Sequence, residues 1–403
     1  MDRRLNINYS AIFGTYWMHF GVLCSFASVF LLSRGFSNSR IGIILAVANL
    51  LSVVIQPLLG DIADRGGKLA VFYVIHGLQF IIGVVSVFLL FYKGAGTILT
   101  IMYTLGYTAV VTTQPFINSL CRKFEERGAY MNFGICRSMG SLSYATLTFF
   151  LGSIVAKKGE NILPVIGIII LLAFTLIVFL TLRSYNKMPE PAVVSLGSKD
   201  KDPESTITLS QFAKRHKLFI VMGIGILGVF FANSSFNSFA AQIALNVGGT
   251  NKDIGRLLAV MAFCEIPTMA MSDKLQRKFG SLKLIRFSAL AFFLWMVSIT
   301  LSKNVYMLMA SQLFQPFAFA IFLPSMIRFI DENMEKGEAV KGQTVFITIV
   351  TIGSIFSGLI GGKILDTQGA TFLTGVGSVT ALLGALIIVY LIPKVATEAK
   401  QPS

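Results

Sequence analysis

Arg137 and Glu265 are the two formal charges that lie deep inside long apolar stretches of this chain, one in each half. Holding a charge at the centre of a bilayer costs at least ~2.5–3.5 kcal/mol on insertion scales, so such residues are kept for a task. Arginine carries five N–H donors in a rigid fork and stays protonated, which suits a clamp on substrate hydroxyls or on a carboxylate. A structural ion pair or a bond to helix carbonyls would satisfy it too. Glutamate can gain and lose a proton, which suits loading from one side of a membrane and release to the other. A neutral glutamate bonded between helices is the plainer alternative. If the two pair in the empty state, a solute that competes for Arg137 releases Glu265 to accept a proton.

Ser141 and Tyr144 follow Arg137 by four and seven residues, so the three share one helix face. Gln114 with Asn118, and Asn233 with Asn237, are similar pairs four apart, and Asn49, Gln312 and Gln315 add further amides. Many amides and few charges favour a neutral, hydroxylated solute over a strongly ionic one, although bonds between helices explain any single amide as well. Tyr144, Trp295, Tyr16 and Trp17 are candidate rings for stacking on a sugar. His19 is a second candidate proton group. His76 reads as structural and His216 as part of a linker.

The elements that must hold these residues are membrane helices. The 403 residues are 54% apolar and 13% charged, with a mean hydropathy of +0.74. A bilayer-crossing helix needs about 20 mostly apolar residues. Twelve such stretches lie near 9–32, 41–60, 70–92, 96–120, 132–156, 162–182, 217–243, 254–272, 283–302, 304–329, 343–363 and 370–393. The first apolar run lacks a small-residue cleavage site and reads as an uncleaved span. The net charge of +15 does not point to nucleic acid, because the Lys and Arg lie mostly in short loops. The side holding both termini has 24 of the 34 and the other side 9, which predicts cytoplasmic termini. Residues 183–216, with three prolines and mixed charge, predict a cytoplasmic linker between six-span halves 1–182 and 217–403. Cys24, Cys121, Cys136 and Cys264 form no ligand-spaced cluster and read as free thiols.

The halves repeat each other. Ser25-Phe26-Ala27, Ile41-Gly42 and Gly67 recur as Ser238-Phe239-Ala240, Ile254-Gly255 and Gly280, all at an offset of 213 residues; Gln114-Pro115-Phe116 recurs as Gln315-Pro316-Phe317. A repeat of six spans is a transporter plan in which solute binds near the midplane. No nucleophile–base set, metal-ligand cluster, phosphate-binding glycine loop or Walker-type sequence is present, so a carrier without cofactor is expected rather than an enzyme.

The segment Gly60-Asp61-Ile62-Ala63-Asp64-Arg65-Gly66-Gly67-Lys68 resembles the loop signature of the major facilitator superfamily. Gly60 and Gly67 would permit a tight turn and close helix approach. Asp64 would cap a helix or pair with a nearby arginine, with Arg65 and Lys68 completing a conformational motif. Residues 35–68, Arg137-Ser138-Met139-Gly140-Ser141 and Cys264-Glu265-Ile266-Pro267 resemble the lactose permease and phenylpropionate permease group. The resemblance implies an all-α fold of two pseudo-symmetric six-helix bundles, a monomer in a bacterial inner membrane, and proton-coupled symport of a sugar or oligosaccharide. It also implies that Arg137 holds sugar hydroxyls and Tyr144 stacks on the ring. Several positions depart from the pattern. Asn118 stands where that group has an acid, Gln312 and Gln315 where it has a histidine and a glutamate, and Trp295 near where it has an arginine. A uniporter, or a proton-coupled carrier of aromatic acids or nucleosides, therefore stays open.

Overall fold

Lipid offers no partner to a backbone N–H or C=O, so a chain this apolar must close its hydrogen bonds within helices. The computed structural model, which describes residues 2–67, 69–188 and 208–398, has that form. Lys68 and the middle of the linker lie outside the described residues. Among the described residues, twelve long helices follow in order: α1 Arg3–Ser33, α2 Asn38–Arg65, α3 Ala70–Phe91, α4 Thr97–Glu125, α5 Phe133–Lys158, α6 Ile162–Asn186, α7 Lys217–Asn246, α8 Asn251–Phe279, α9 Ser281–Thr300, α10 Val305–Asn333, α11 Glu338–Thr367 and α12 Ala370–Glu398.

Eleven of these are long and apolar enough to cross a membrane. The remaining one, α4, is diluted by six threonines. Its Thr100, Thr104 and Thr113 hydroxyls bond back to carbonyls four residues earlier, so they cost little in an apolar setting. The helices overrun the apolar stretches: α2 reaches Arg65, α4 Glu125 and α8 Phe279. The backbone ladder continues into water until a residue breaks it. Gly128 after α4 and Gly280 after α8 do so at φ 78°, where a side chain would be strained.

Packing divides the chain into two units, Met1–Val194 with Gly249–Phe263, and Ser195–Gly248 with Cys264–Ser403. In the first unit α1 packs on α5 and α6, and α3 on α4 and α6; in the second α7 packs on α11 and α12, and α9 on α10 and α12. Each of these four pairings in the first unit has its counterpart six helices on, which is the repeat expressed in three dimensions. Chain order would put Gly249–Phe263 with the second half. Packing puts it with the first unit, because Gly152 of α5 and Gly255 of α8 let two backbones meet: a Cβ on Gly152 would lie 2.9 Å from Gly255 Cα.

Several long helices are irregular within. A π-helical turn, Gly21–Ser25, interrupts α1, and Phe26 after it has φ −93° and ψ 11°. Phe239 breaks α7 at φ −123° and ψ 23°. A second π turn, Pro316–Ala320, lies in α10, and a third, Ser357–Gly361, in α11.

The glycine-rich motif after the second span differs from expectation in detail. Gly60 and Asp64 lie inside α2, which runs on to Arg65, so Asp64 caps no helix start. Arg65 pairs with Asp61 at 2.7 Å. Gly67 does supply a turn, at φ 78°. At the end of the linker Thr208 closes a capping box over the short helix Leu209–Arg215. His216, read as linker, is instead buried, with Nε2 2.8 Å from Glu338 Oε2.

Candidate functional site

In the first unit one face of α5 carries the expected residues. Arg137 Nη1 donates to Ser141 Oγ at 3.2 Å, one turn on. Its guanidinium lies 4.3 Å from the centre of the Trp17 ring and 5.9 Å from that of Phe13, both on α1. A cation placed this way over an aromatic face gains about 0.5–2 kcal/mol. Gly140 makes the stack possible, since a Cβ there would come 2.5 Å from Trp17 Cδ1. Tyr144 Oη donates to Ser25 Oγ at 2.8 Å, tying α5 to the π turn of α1. The rings of Tyr144 and Trp17 meet nearly perpendicular at 6.3 Å. Arg137, Ser141 and Tyr144 are thus brought together, and Trp17 and Ser25 complete the cluster.

Other polar residues of that unit lie on α1 and α4. Gln114 and Asn118 are half-buried one turn apart on α4, and Asn118 Oδ1 has no hydrogen-bond partner. His19 is sealed in the packing of α1, 2% exposed, with Nε2 also unpartnered. A cavity of about 650 Å³ runs along α1 and α5 past Ser10, Gly14, Met139 and Ser143, without reaching Arg137 or Tyr144.

The second unit gathers polar groups at the break in α10. Gln312, Leu313, Phe314 and Gln315 make i→i−3 backbone bonds, a tightened turn, and Pro316 lacks an N–H. Such irregular backbone inside a membrane helix marks a functional segment. Gln312 Nε2 donates to Leu308 O at 3.1 Å and to Ser311 Oγ at 3.0 Å. Gln315 Nε2 donates to Glu265 Oε1 on α8. The amide oxygens of Gln312, Gln315 and Asn233 are buried and without partners. Asn233 belongs to the same layer: Phe230 of α7 meets Phe319 of α10, ring centres 6.4 Å apart. Helices three crossings apart run in opposite directions, so a turn beyond Phe230 and a turn before Phe319 reach one level. Asn237 instead bonds back to Asn233 O at 3.0 Å, bracing the break at Phe239. Trp295, read as a stacking ring, is fully buried, with Phe236 at 5.2 Å and Phe292 at 6.3 Å against it; its surroundings are those of a core residue.

Repeated sets of long apolar helices, with polar clusters set into their interiors, define a polytopic membrane protein built to pass a solute. The sequence matches the MFS_1 like family over residues 6–374, and the chain belongs to that family. It is a major facilitator transporter with the fold expected from the Gly60–Lys68 motif. The maltose permease of Geobacillus stearothermophilus is 22% identical over 392 residues, covering 95% of this chain and 93% of the permease. A point variant of the nucleoside transporter NupG superimposes with a TM-score of 0.76 at 16% identity, covering 97% of this chain and 99% of that one. A D-xylose-proton symporter superimposes with a TM-score of 0.69 at 14% identity, covering 97% and 98%.

Proposed function

We propose that this transporter moves a small hydroxylated solute, a sugar or oligosaccharide, by alternating access and symport with protons. The observation that carries the reading is the Arg137 cluster. A guanidinium stacked on Trp17 and held by Ser141 presents directed donors beside the Tyr144 ring. Directed donors next to an aromatic face suit a sugar, which has hydroxyls at its rim and apolar C–H faces. The similarity to a maltose permease and to a D-xylose-proton symporter supports the same class. Glu265 is the candidate proton site, being the titratable side chain in the polar layer of the second unit. The partners are then the solute, protons and the bilayer, with the chain acting as a monomer. The 24-to-9 distribution of Lys and Arg supports cytoplasmic termini, in the inner membrane of a bacterium.

A nucleoside is the second reading, favoured by the likeness to NupG and by rings that would stack on a base as readily as on a sugar. Proteoliposomes decide between them. Uptake of labelled maltose, xylose and uridine is measured with competition by unlabelled solutes, using Arg137→Ala as control. Accumulation of a sugar that collapses with a protonophore supports the proposal. Uptake of uridine alone supports the second reading. Sugar equilibration that ignores the protonophore identifies a uniporter and rejects proton coupling.

A further inference from the structure

A side-chain hydrogen bond from Gln315 to Glu265 links α8 to the break in α10, and the bond is directional. An ionised carboxylate is an acceptor only, so Gln315 must offer its –NH₂. That leaves Gln315 Oε1 turned away, buried and without a hydrogen-bond partner. A protonated carboxyl reverses the demand, because its O–H needs an acceptor and Gln315 holds one in that oxygen. We propose that Gln315 reads the proton state of Glu265 by turning its amide over. With Glu265 ionised, Gln315 donates to it and shows its carbonyl oxygen to the polar layer of Asn233 and Gln312. With Glu265 protonated, Gln315 accepts the new O–H and shows its –NH₂ there instead. The proton adds to a carboxylate oxygen from solvent and returns to solvent; no covalent bond other than that O–H forms or breaks. The solute-facing layer thereby gains a donor and loses an acceptor for each proton bound, without Gln315 carrying a charge. This rests on the reading of Glu265 as the proton site.

Cys264 is the titratable neighbour of Glu265 on its own helix. Facing elements of the unit are bare of titratable groups at this depth. The sequence has none in α10 between Tyr306 and Arg328, none in α7 after Lys217, and none in α9 after Arg286. In α11 none occurs between Lys341 and Lys363, and in α12 none before Tyr390. The tightened turn at Gln312–Gln315 and the missing N–H of Pro316 place the reader where the helix is least regular, so a change in its bonding meets few competing backbone bonds.

Infrared difference spectra between acid and alkaline pH test this on the full-length protein in lipid vesicles, with glutamine side chains carrying ¹³C. No solute is needed, so the outcome does not depend on naming one. Expected are a carboxylic acid band that Glu265→Gln abolishes and a paired glutamine amide band that Gln315→Met abolishes. The carboxylic acid band should also move in Gln315→Met, because its O–H loses its acceptor. Gln315→Glu serves as a second variant of native shape: two touching carboxyls titrate in two separated steps. A Glu265 band with no glutamine partner, or a single unchanged step in Gln315→Glu, overturns the inference and leaves the proton site standing. Absence of any band sensitive to Glu265→Gln overturns both.

Discussion

Phe26 and Phe239 stand 213 residues apart at the same point of the repeat, and at each the helix leaves regular backbone. The shared Ser-Phe-Ala triplet thus marks a break in the first helix of both six-helix sets. Each ring is fully buried, so each break is wedged by an aromatic side chain. Removing a buried phenylalanine costs ~3–5 kcal/mol, through lost burial and the cavity it leaves. Phe239→Ala is expected to lose about that much stability, read as a lower midpoint of thermal unfolding in detergent. Phe239→Leu should recover most of it. An unchanged midpoint in Phe239→Ala would show that the ring is not the wedge.

Gly152 and Gly255 make a backbone-to-backbone crossing of α5 and α8 that no other residue fits. A Cβ at 255 would come 2.8 Å from Gly152 N, and the contact is backbone, which cannot swing aside. Asn251 Nδ2 bonds Glu160 Oε1 at 3.1 Å beside it, so spreading the helices also strains that bond. Inserting bulk into tight packing costs ~1–3 kcal/mol. Gly255→Val should therefore reduce uptake by more than tenfold and lower the unfolding midpoint. Gly60→Val, at a helical glycine with open space around its Cβ position, should leave the midpoint near its starting value.

Much of this architecture was legible in the residues because lipid restricts the choices. Apolar runs of about 20 residues have to be helices. The Arg137–Ser141–Tyr144 face was legible for a similar reason, since one helix period fixes it. Contacts across helices were not. Nothing in the spacing says that Trp17 lies under Arg137, because that depends on Gly140 vacating the space. Gln315 stood out as a substitution for a charged residue, yet its bond to Glu265 spans 50 residues and a broken helix. Trp295 was read by ring type, which does not tell a cavity wall from a core. His216 was read by its place beside a polar linker, whereas Glu338, 122 residues on, is what buries it.

Arg137 depends on shape as well as charge. Stacking on Trp17 needs a flat cation, and bonding Ser141 from one nitrogen at the same time needs a fork. Lysine keeps the charge and loses both. Arg137→Lys is expected to lower kcat/KM for the transported solute by at least tenfold, nearly as much as Arg137→Ala, with surface expression and unfolding midpoint preserved. Trp17→Phe should cost less, about threefold, because a smaller ring still supports the stack. Near-normal transport in Arg137→Lys would mean that charge alone suffices, and the directed-donor reading of the cluster would fail.

Arg215 bonds two glutamates that differ chiefly in burial, which makes it an internal control. Its Nη1 lies 2.8 Å from Glu338 Oε1, and its Nη2 lies 2.9 Å from Glu335 Oε1. The Glu338 side chain is 5% exposed and the Glu335 side chain 69%. Exposed pairs contribute about 0–1 kcal/mol, because water screens them and holding two long side chains costs entropy. Removing one partner of a buried pair costs ~3–5 kcal/mol, because the other charge is left without compensation. Glu338→Gln takes the buried carboxylate from both Arg215, which keeps only the exposed Glu335, and His216 Nε2, loosening the tie between the short helix Leu209–Arg215 and α11. Glu338→Gln is therefore expected to lower the unfolding midpoint clearly, and Glu335→Gln barely. Protease cleavage within residues 208–216 should accelerate in the first variant alone. Equal effects of the two substitutions would show that the buried carboxylate does not anchor this end of the linker.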